Sequence, residues 1–217
     1  MRILFKLTTR SRPERAYDVL QSIWQNVSTP DFDILISVDR EDDTLSRLTN
    51  LLSQSKMKYT MVSGDSDGKI DAINRDVPLS GWDVLVNVSD DTKFVKKGFD
   101  EDIRQAFTEH FPDLDGVLHY PDGNRKDLLT VSIIGHEYYL RDQYIYHPEY
   151  KSLWCDNEAM EVAQIRGKYK FVDVQLFEHL HWAYGKAGID NQYQEQNGYF
   201  SRDKDVFHSR KIRNFDL

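Results

Sequence analysis

The chain is short of several features that would fix its class at once. Among 217 residues there is one cysteine, Cys155. That excludes an intrachain disulfide and any Cys-x-x-Cys metal site, and it fits a reducing compartment. No apolar run approaches the roughly 20 residues of a membrane span, so no membrane insertion is expected. Met1 to Lys6 leads straight into a strand pattern without the apolar core of a signal peptide, so a cytoplasmic protein is expected. Basic residues are in deficit: net charge is −8 and the pI about 5.4. The surface as a whole is therefore no nucleic-acid footprint, although a local basic groove stays open. No G-x-G-x-x-G follows the first strand and no Walker lysine pattern is present, which weighs against dinucleotide and P-loop readings. Internal repeats, low-complexity segments and linker-like stretches are also missing, so residues 1–217 are read as one domain.

What is present is organised around Trp82 to Lys93. Val84, Leu85, Val86 and Val88 form a short apolar run rich in β-branched residues, which reads as a buried parallel strand. It ends on two adjacent carboxylates, Asp90 and Asp91. Like charges side by side cost stability unless something positive sits beside them. A divalent cation is one such partner, since hard cations take oxygen ligands; a solvated acidic turn is the bland alternative.

Upstream, strands and helices alternate. Ile3–Thr8 is read as a strand, and the basic loop Thr9 to Arg12 leads to Pro13, which suits a first helical turn. Ala16, Val19, Leu20, Ile23, Trp24 and Val27 then recur at helical spacing. Phe32–Val38 is a second strand ending on Asp39. Thr44–Ser55 reads as a helix with Leu45, Leu48, Leu51 and Leu52 inward. Tyr59–Val62 is a third strand and Ile70–Arg75 a short helix. This pattern predicts an α/β fold with a mostly parallel, doubly wound sheet, helices on both faces and a small antiparallel element. Ligands of such sheets bind beyond the carboxyl ends of the strands, where Thr8, Asp39, Asp90 and Asp91 would gather.

The second half is less regular. Phe99–Phe107 reads as a helix, Gly116–Tyr120 as a strand, and Leu128–Gly135 as a strand that can pair antiparallel. Tyr138 to Trp154 is rich in aromatics, for core packing or for stacking on a sugar or base, as is Trp182 with Tyr184. Asp156 is placed as the N-cap of a helix whose inward face is Met160, Val162, Ala163 and Ile165. Phe171–His181 reads as a single last strand, in which His179 and His181, two apart, share a face.

In this order the motifs resemble the nucleotide-sugar glycosyltransferases of the GT-A fold, most like family two, the inverting members. The resemblance runs over about residues 1–190. It rests on Thr8-Thr9-Arg10-Ser11-Arg12 after the first strand, Asp39 after the second, and the segment from Gly68-Lys69 to Asn74. It continues with Ser89-Asp90-Asp91, similar to the family's Asp-x-Asp motif, with Asp156 at a helix start, and with Phe177 to His181. The metal motif lacks an acid at its first position, which leaves open which carboxylate binds metal.

The resemblance implies a nucleotide-binding half over about 1–97, an acceptor and catalytic half over about 98–190, and a tail from 191 to 217. It implies Asp91 as metal ligand, completed by His181 with His179 as second choice. Asp90 would support the metal or ribose, and Mn²⁺ or Mg²⁺ the cofactor. Thr8, Arg10, Arg12, Lys69 and Asn74 would flank the nucleotide. Asp39 would accept a hydrogen bond from the base, with UDP expected. Asp156 would be the general base, with Glu158 as alternative. Loop 185–190 would lie over the donor. The acceptor is left open among a glycan, a small molecule and a modified DNA base. The tail's Arg202, Lys204, His208, Arg210, Lys211 and Arg213 would clamp phosphate or meet a polyanion. Two rivals stand beside this reading. One is a nucleotidyltransferase, disfavoured because Thr8 to Arg12 holds no glycine. The other is a non-catalytic nucleotide- or sugar-binding module.

Overall fold

The computed structural model describes residues 1–217 apart from Trp182, Ala183, Ala187 and Ile189. Strand β1 (Ile3–Thr9) lies near the middle of a seven-stranded sheet and is almost wholly buried. Its neighbours are β2 (Phe32–Asp39) and β4 (Val84–Ser89), both parallel to it. β3 (Thr60–Gly64) extends the parallel set beyond β2. On the other side of β4 comes β7 (Ile133–Gly135), antiparallel to it. β6 (Val117–His119) and β8 (Tyr169–Phe171) complete the order β3-β2-β1-β4-β7-β6-β8. A separate antiparallel pair joins β5 (Thr92–Phe94) to β9 (Phe177–His179).

Side chains alternate across a strand, so β1 feeds two cores. Ile3, Phe5 and Leu7 pack on one face against α1 (Pro13–Asn26), α2 (Leu45–Ser53) and α4 (Phe99–His110). Leu4, with Leu35 and Leu85, packs on the other face. That face is covered by α3 (Lys69–Asn74), α5 (His136–Asp142), α6 (Cys155–Ile165) and α8 (Phe200–Ile212). The short α7 (Asn191–Gly198) precedes α8. Lys6 also points into the second face, fully buried, where it donates to Ser37 and to the Ala72 carbonyl. Gly135 is required where β7 passes the turn before β6, because a Cβ there would sit 2.1 Å from the Leu114 carbonyl oxygen.

The architecture matches the expected doubly wound sheet, and several local expectations are corrected. The stretch read as one last strand is two, in different sheets. The Val172 N–H still donates to the His119 carbonyl beside β6, whereas the Leu176 carbonyl accepts from Val95 and Lys96 beyond β5. The apolar pattern runs on while the hydrogen-bonding partner changes. Only Ile133–Gly135 of the expected strand from Leu128 is paired. In α6 Met160, Val162 and Ala163 pack inward as expected, joined by buried Cys155 and Glu158, whereas Ile165 is 51% exposed. Trp154 holds the cap position with φ of 64°, so Asp156 lies inside the first turn. Tyr138, Tyr139, Tyr146 and Tyr150 are core residues. Residues 200–212 form a packed helix in which three of the expected phosphate-clamp cations are ion-paired: Arg202 with Asp203, Arg210 with Glu158 and Lys211 with Glu161.

Candidate active site

The candidate site gathers where the parallel strands β1, β2 and β4 stop. Ser11, after β1, is held at φ of 58°, a left-handed conformation sparse for a residue with a Cβ. Asp42 accepts its N–H at 2.9 Å, which fixes the turn leading to Arg12. Gly68, with φ of +102°, makes the corresponding turn into α3 and brings Lys69 to the site. Ile70 N–H donates to the Lys151 carbonyl, so this turn is also tied to the loop entering α6.

The centre of the site is Asp91. One of its oxygens accepts from Ser89 and lies 3.2 Å from His179 Nε2; the other accepts from the Tyr193 hydroxyl at 2.9 Å. Burial would raise the Asp91 carboxyl, but His179, with Lys69 and Ser89 adding, holds it well below the usual carboxylate range. The second nitrogen of His179 faces Asp122 at 3.5 Å. Burial opposes charge on His179, yet Asp122 and Asp91 together push its pKa up to about 9. The positive partner expected for the acidic strand end is thus supplied in part by the protein. His181 lies just past β9 with its ring 5.2 Å from that of His179. Burial, then the neighbouring His179 charge, pull its pKa down to about 4, so it is neutral at pH 7.

Asp90 points to a different partner. It accepts from Thr9 at 3.0 Å and from Arg12 at 3.0 Å. Burial pushes its carboxyl up, with Arg12 opposing. Arg12 in turn forks onto Asp190 at 2.8 and 2.6 Å, and its guanidinium stacks 4.1 Å from the Tyr193 ring centre. Asp156 is half-buried. Burial raises its carboxyl, while the Asn157 N–H and then the Lys69 charge oppose that rise. Lys69 therefore lies within electrostatic reach of Asp91, His181 and Asp156 together.

Asp39 lies between Arg10, at 3.7 Å, and Arg75, at 3.9 Å. Its Oδ1 is buried and has no hydrogen-bond donor among the described residues. Thr8 donates to the Ala72 carbonyl. Two expected site residues are drawn elsewhere. Asn74 brackets the chain at 145–146, donating to the Tyr146 carbonyl and accepting from Ile145 and Tyr146 N–H. Glu158 is buried against Arg210 and accepts from the Tyr150 hydroxyl at 2.7 Å. Trp182, proposed for stacking, lies outside the described residues, as do Ala187 and Ile189 of the 185–190 loop. Asp190 ends the loop expected over the donor, whereas Asp122 and Tyr193 carry no expectation from sequence. Asp122 sits in a polar turn and Tyr193 in a helix with little apolar periodicity, so no local pattern marks either.

A cation would find a limited donor set here. Among the described residues no group of three or more His, Cys, Asp or Glu is arranged as a metal cluster. Asp91 is ionised, however, and Tyr193 uses only one of the two lone pairs on its Oδ2. With neutral His181 beside it, the pair suits an ion that takes one carboxylate, an imidazole and phosphate oxygens.

The mostly parallel sheet with helices on both faces is similar, at the level of fold, to solved structures of transferases. In particular, the chain is similar to S. aureus TarS 1-349 in complex with UDP-GlcNAc, with a TM-score of 0.61 and 16% identity. That match covers 90% of this chain and 64% of that one. It is also similar to the mannosyltransferase PcManGT from Pyrobaculum calidifontis in complex with GDP-Man and Mn2+, with a TM-score of 0.62 and 10% identity. There 80% of this chain and 55% of the other are covered. A CMP:2-keto-3-deoxy-manno-octonic acid synthetase complexed with CTP is matched over 94% of this chain and 100% of its own, with a TM-score of 0.54 and 10% identity. At these identities the likeness is one of fold. The chain spans 36% of TarS and 60% of TarS 1-349. No family model matches the chain, and no curated protein matches it in sequence.

Proposed function

We propose that this chain is an inverting glycosyltransferase that moves a sugar from a nucleoside diphosphate donor, UDP being expected, to an acceptor hydroxyl. The observation that supports the reading is that Lys69 lies within electrostatic reach of Asp91, His181 and Asp156 together, beyond the ends of the parallel strands. Asp39 would take the base: a carboxylate oxygen with no donor among the described residues suits the imide N–H of uracil. Arg12 and Lys69 would face the diphosphate, where a guanidinium fork suits phosphate. Asp91 and His181 would hold Mn²⁺ or Mg²⁺. His179 is the weaker candidate, because both its nitrogens face carboxylates. When bound, the ion supplies charge that offsets the departing diphosphate.

Asp156 would accept the proton of the attacking hydroxyl. A carboxylate whose pKa is raised by burial is a better base near neutral pH than a solvated one. Glu158, locked against Arg210, is set aside for that role. The acceptor is not identified by any group in the site. A glycan or small molecule fits the acidic surface better than DNA, because Arg202, Arg210 and Lys211 of α8 are already paired.

A second reading is kept because the nucleotidyltransferases match this chain over nearly their whole length. Products separate the two. Incubation with Mn²⁺ and UDP-sugars should release UDP, and Asp91→Asn should abolish the release. Release of pyrophosphate from a nucleoside triphosphate and a sugar phosphate, with none of UDP, would replace the first reading by the second.

A further inference from the structure

The groups that would receive the donor's charge are already engaged by one short segment of the chain. Asp190 presents both carboxylate oxygens to Arg12, at 2.8 and 2.6 Å, as a phosphate would. Arg15 lies 3.7 Å from the same carboxylate. Tyr193, three residues on, donates to Asp91 and packs its ring 5.0 Å from that of His181. These contacts come from α7 and its N-cap. Tyr193 is the one residue of α7 that is buried. The rest of the helix is tied down by polar contacts, such as Glu195 with Arg10 at 3.6 Å. A segment anchored through the ligand's own binding groups is held by what the ligand would replace.

We propose that Asp190 and Tyr193 are an internal stand-in for the donor's diphosphate, so that Asp190 sets donor affinity by competing for Arg12. This rests on the nucleotide-binding reading above and goes beyond it. A ligand enters by exchanging its phosphate oxygens for the Asp190 carboxylate on Arg12, and α7 withdraws from Asp91 as it does so. An uncharged nucleoside cannot make that exchange. Selectivity for charged ligands is therefore written partly in residues that need not touch the ligand in the bound state.

The variant Asp190→Asn isolates this contribution. Asparagine keeps the size of the side chain and serves equally well as the N-cap that accepts from Tyr193 N–H, while the competing charge is lost. Titration calorimetry of the full chain with UDP, inorganic pyrophosphate and uridine, in the presence of Mn²⁺, reads the effect. The expected result is about tenfold tighter binding of UDP and of pyrophosphate by Asp190→Asn, with uridine unchanged. Tyr193→Phe, which keeps the ring over Arg12, should tighten UDP by a smaller factor and only when Mn²⁺ is present. Equal or weaker binding of UDP by Asp190→Asn would overturn the inference and leave the nucleotide reading standing. So would an equal gain for uridine, which would signal a general loosening. If neither protein binds UDP or pyrophosphate, the nucleotide reading falls and this inference falls with it.

Discussion

Asp156 illustrates how one side chain can be costly and useful at once. Burial raises its carboxyl, so the folded chain holds that proton more tightly than the unfolded chain does. Its contribution to stability is full below the unfolded pKa, near 3.9, and is lost as pH rises through the higher folded value. Asp156→Asn should therefore raise the melting temperature at pH 7 while cutting transfer by about 10²–10⁴-fold and leaving UDP affinity unchanged. Unfolding scans and calorimetry of the same preparation check the three outcomes together. A rise in activity through the acid limb of the pH profile, above the ordinary carboxylate range, is expected of the intact protein.

Lys6 is the second residue held at a cost. Burial, opposed by Asp76, lowers its pKa to about 7. Between that value and its unfolded pKa near 10.4 the unfolded chain binds the extra proton, so stability climbs with pH across that window. The slope from this group approaches about 1.4 kcal/mol per pH unit. Lys6→Met should flatten the climb, as urea titrations at pH 7 and pH 9 would measure. An alternating strand pattern reports that Lys6 interrupts an apolar face, but not that Ser37 and Ala72 receive it there.

At the scale of elements, α8 decides how firmly α6 is set. Asp203, fully buried, accepts from the backbone N–H groups of Lys151, Ser152 and Leu153, all within 3.3 Å. Arg210 meets Glu158 seven residues later, with both side chains 5% exposed. Removing one member of a buried pair costs about 3–5 kcal/mol, whereas replacing both by apolar groups is often neutral. Arg210→Met should thus lose most of that amount in urea unfolding, and Glu158→Leu combined with Arg210→Met should recover much of it. These contacts explain why the basic character of the tail misled: Arg202, Arg210 and Lys211 look like a phosphate clamp in sequence because their acidic partners lie about 50 residues away or just beside them. The short helix α3 and strand β4 were legible, by contrast, because each carries its own periodicity and its own turn.

For the molecule as a whole, the first half could be read almost element by element. Strand, helix and strand follow with short connections, and a buried parallel strand shows itself as an apolar run. The second half hides its order. β7, which the stretch from Leu128 to Gly135 announced as an antiparallel strand, is only three residues long, and no local pattern tells that it enters the sheet between β4 and β6. The candidate site divides in the same way. Asp39, Asp90 and Asp91 stand at strand ends and could be placed from sequence, while Asp122, Asp190 and Tyr193 reach them only through the folded chain. Deleting residues 200–217 should accordingly do more than shorten the protein. Without Asp203, Phe207 and Phe215 the second core is opened, and loss of the cooperative melt by circular dichroism is expected.

The two-stranded ladder of β5 and β9 carries a further consequence. Thr92 pairs with His179, Lys93 with Glu178 and Phe94 with Phe177, and backbone bonds to Leu176 and from Leu180 hold the two ends of that alignment. Neighbouring residues of a strand face opposite ways. One extra residue inserted between Phe171 and Phe177 would offer Asp91 a glutamate or a leucine where an imidazole belongs. Three rungs thus work as a reading frame, and a frameshift in space would take the candidate site apart while leaving each of its side chains in place along the chain.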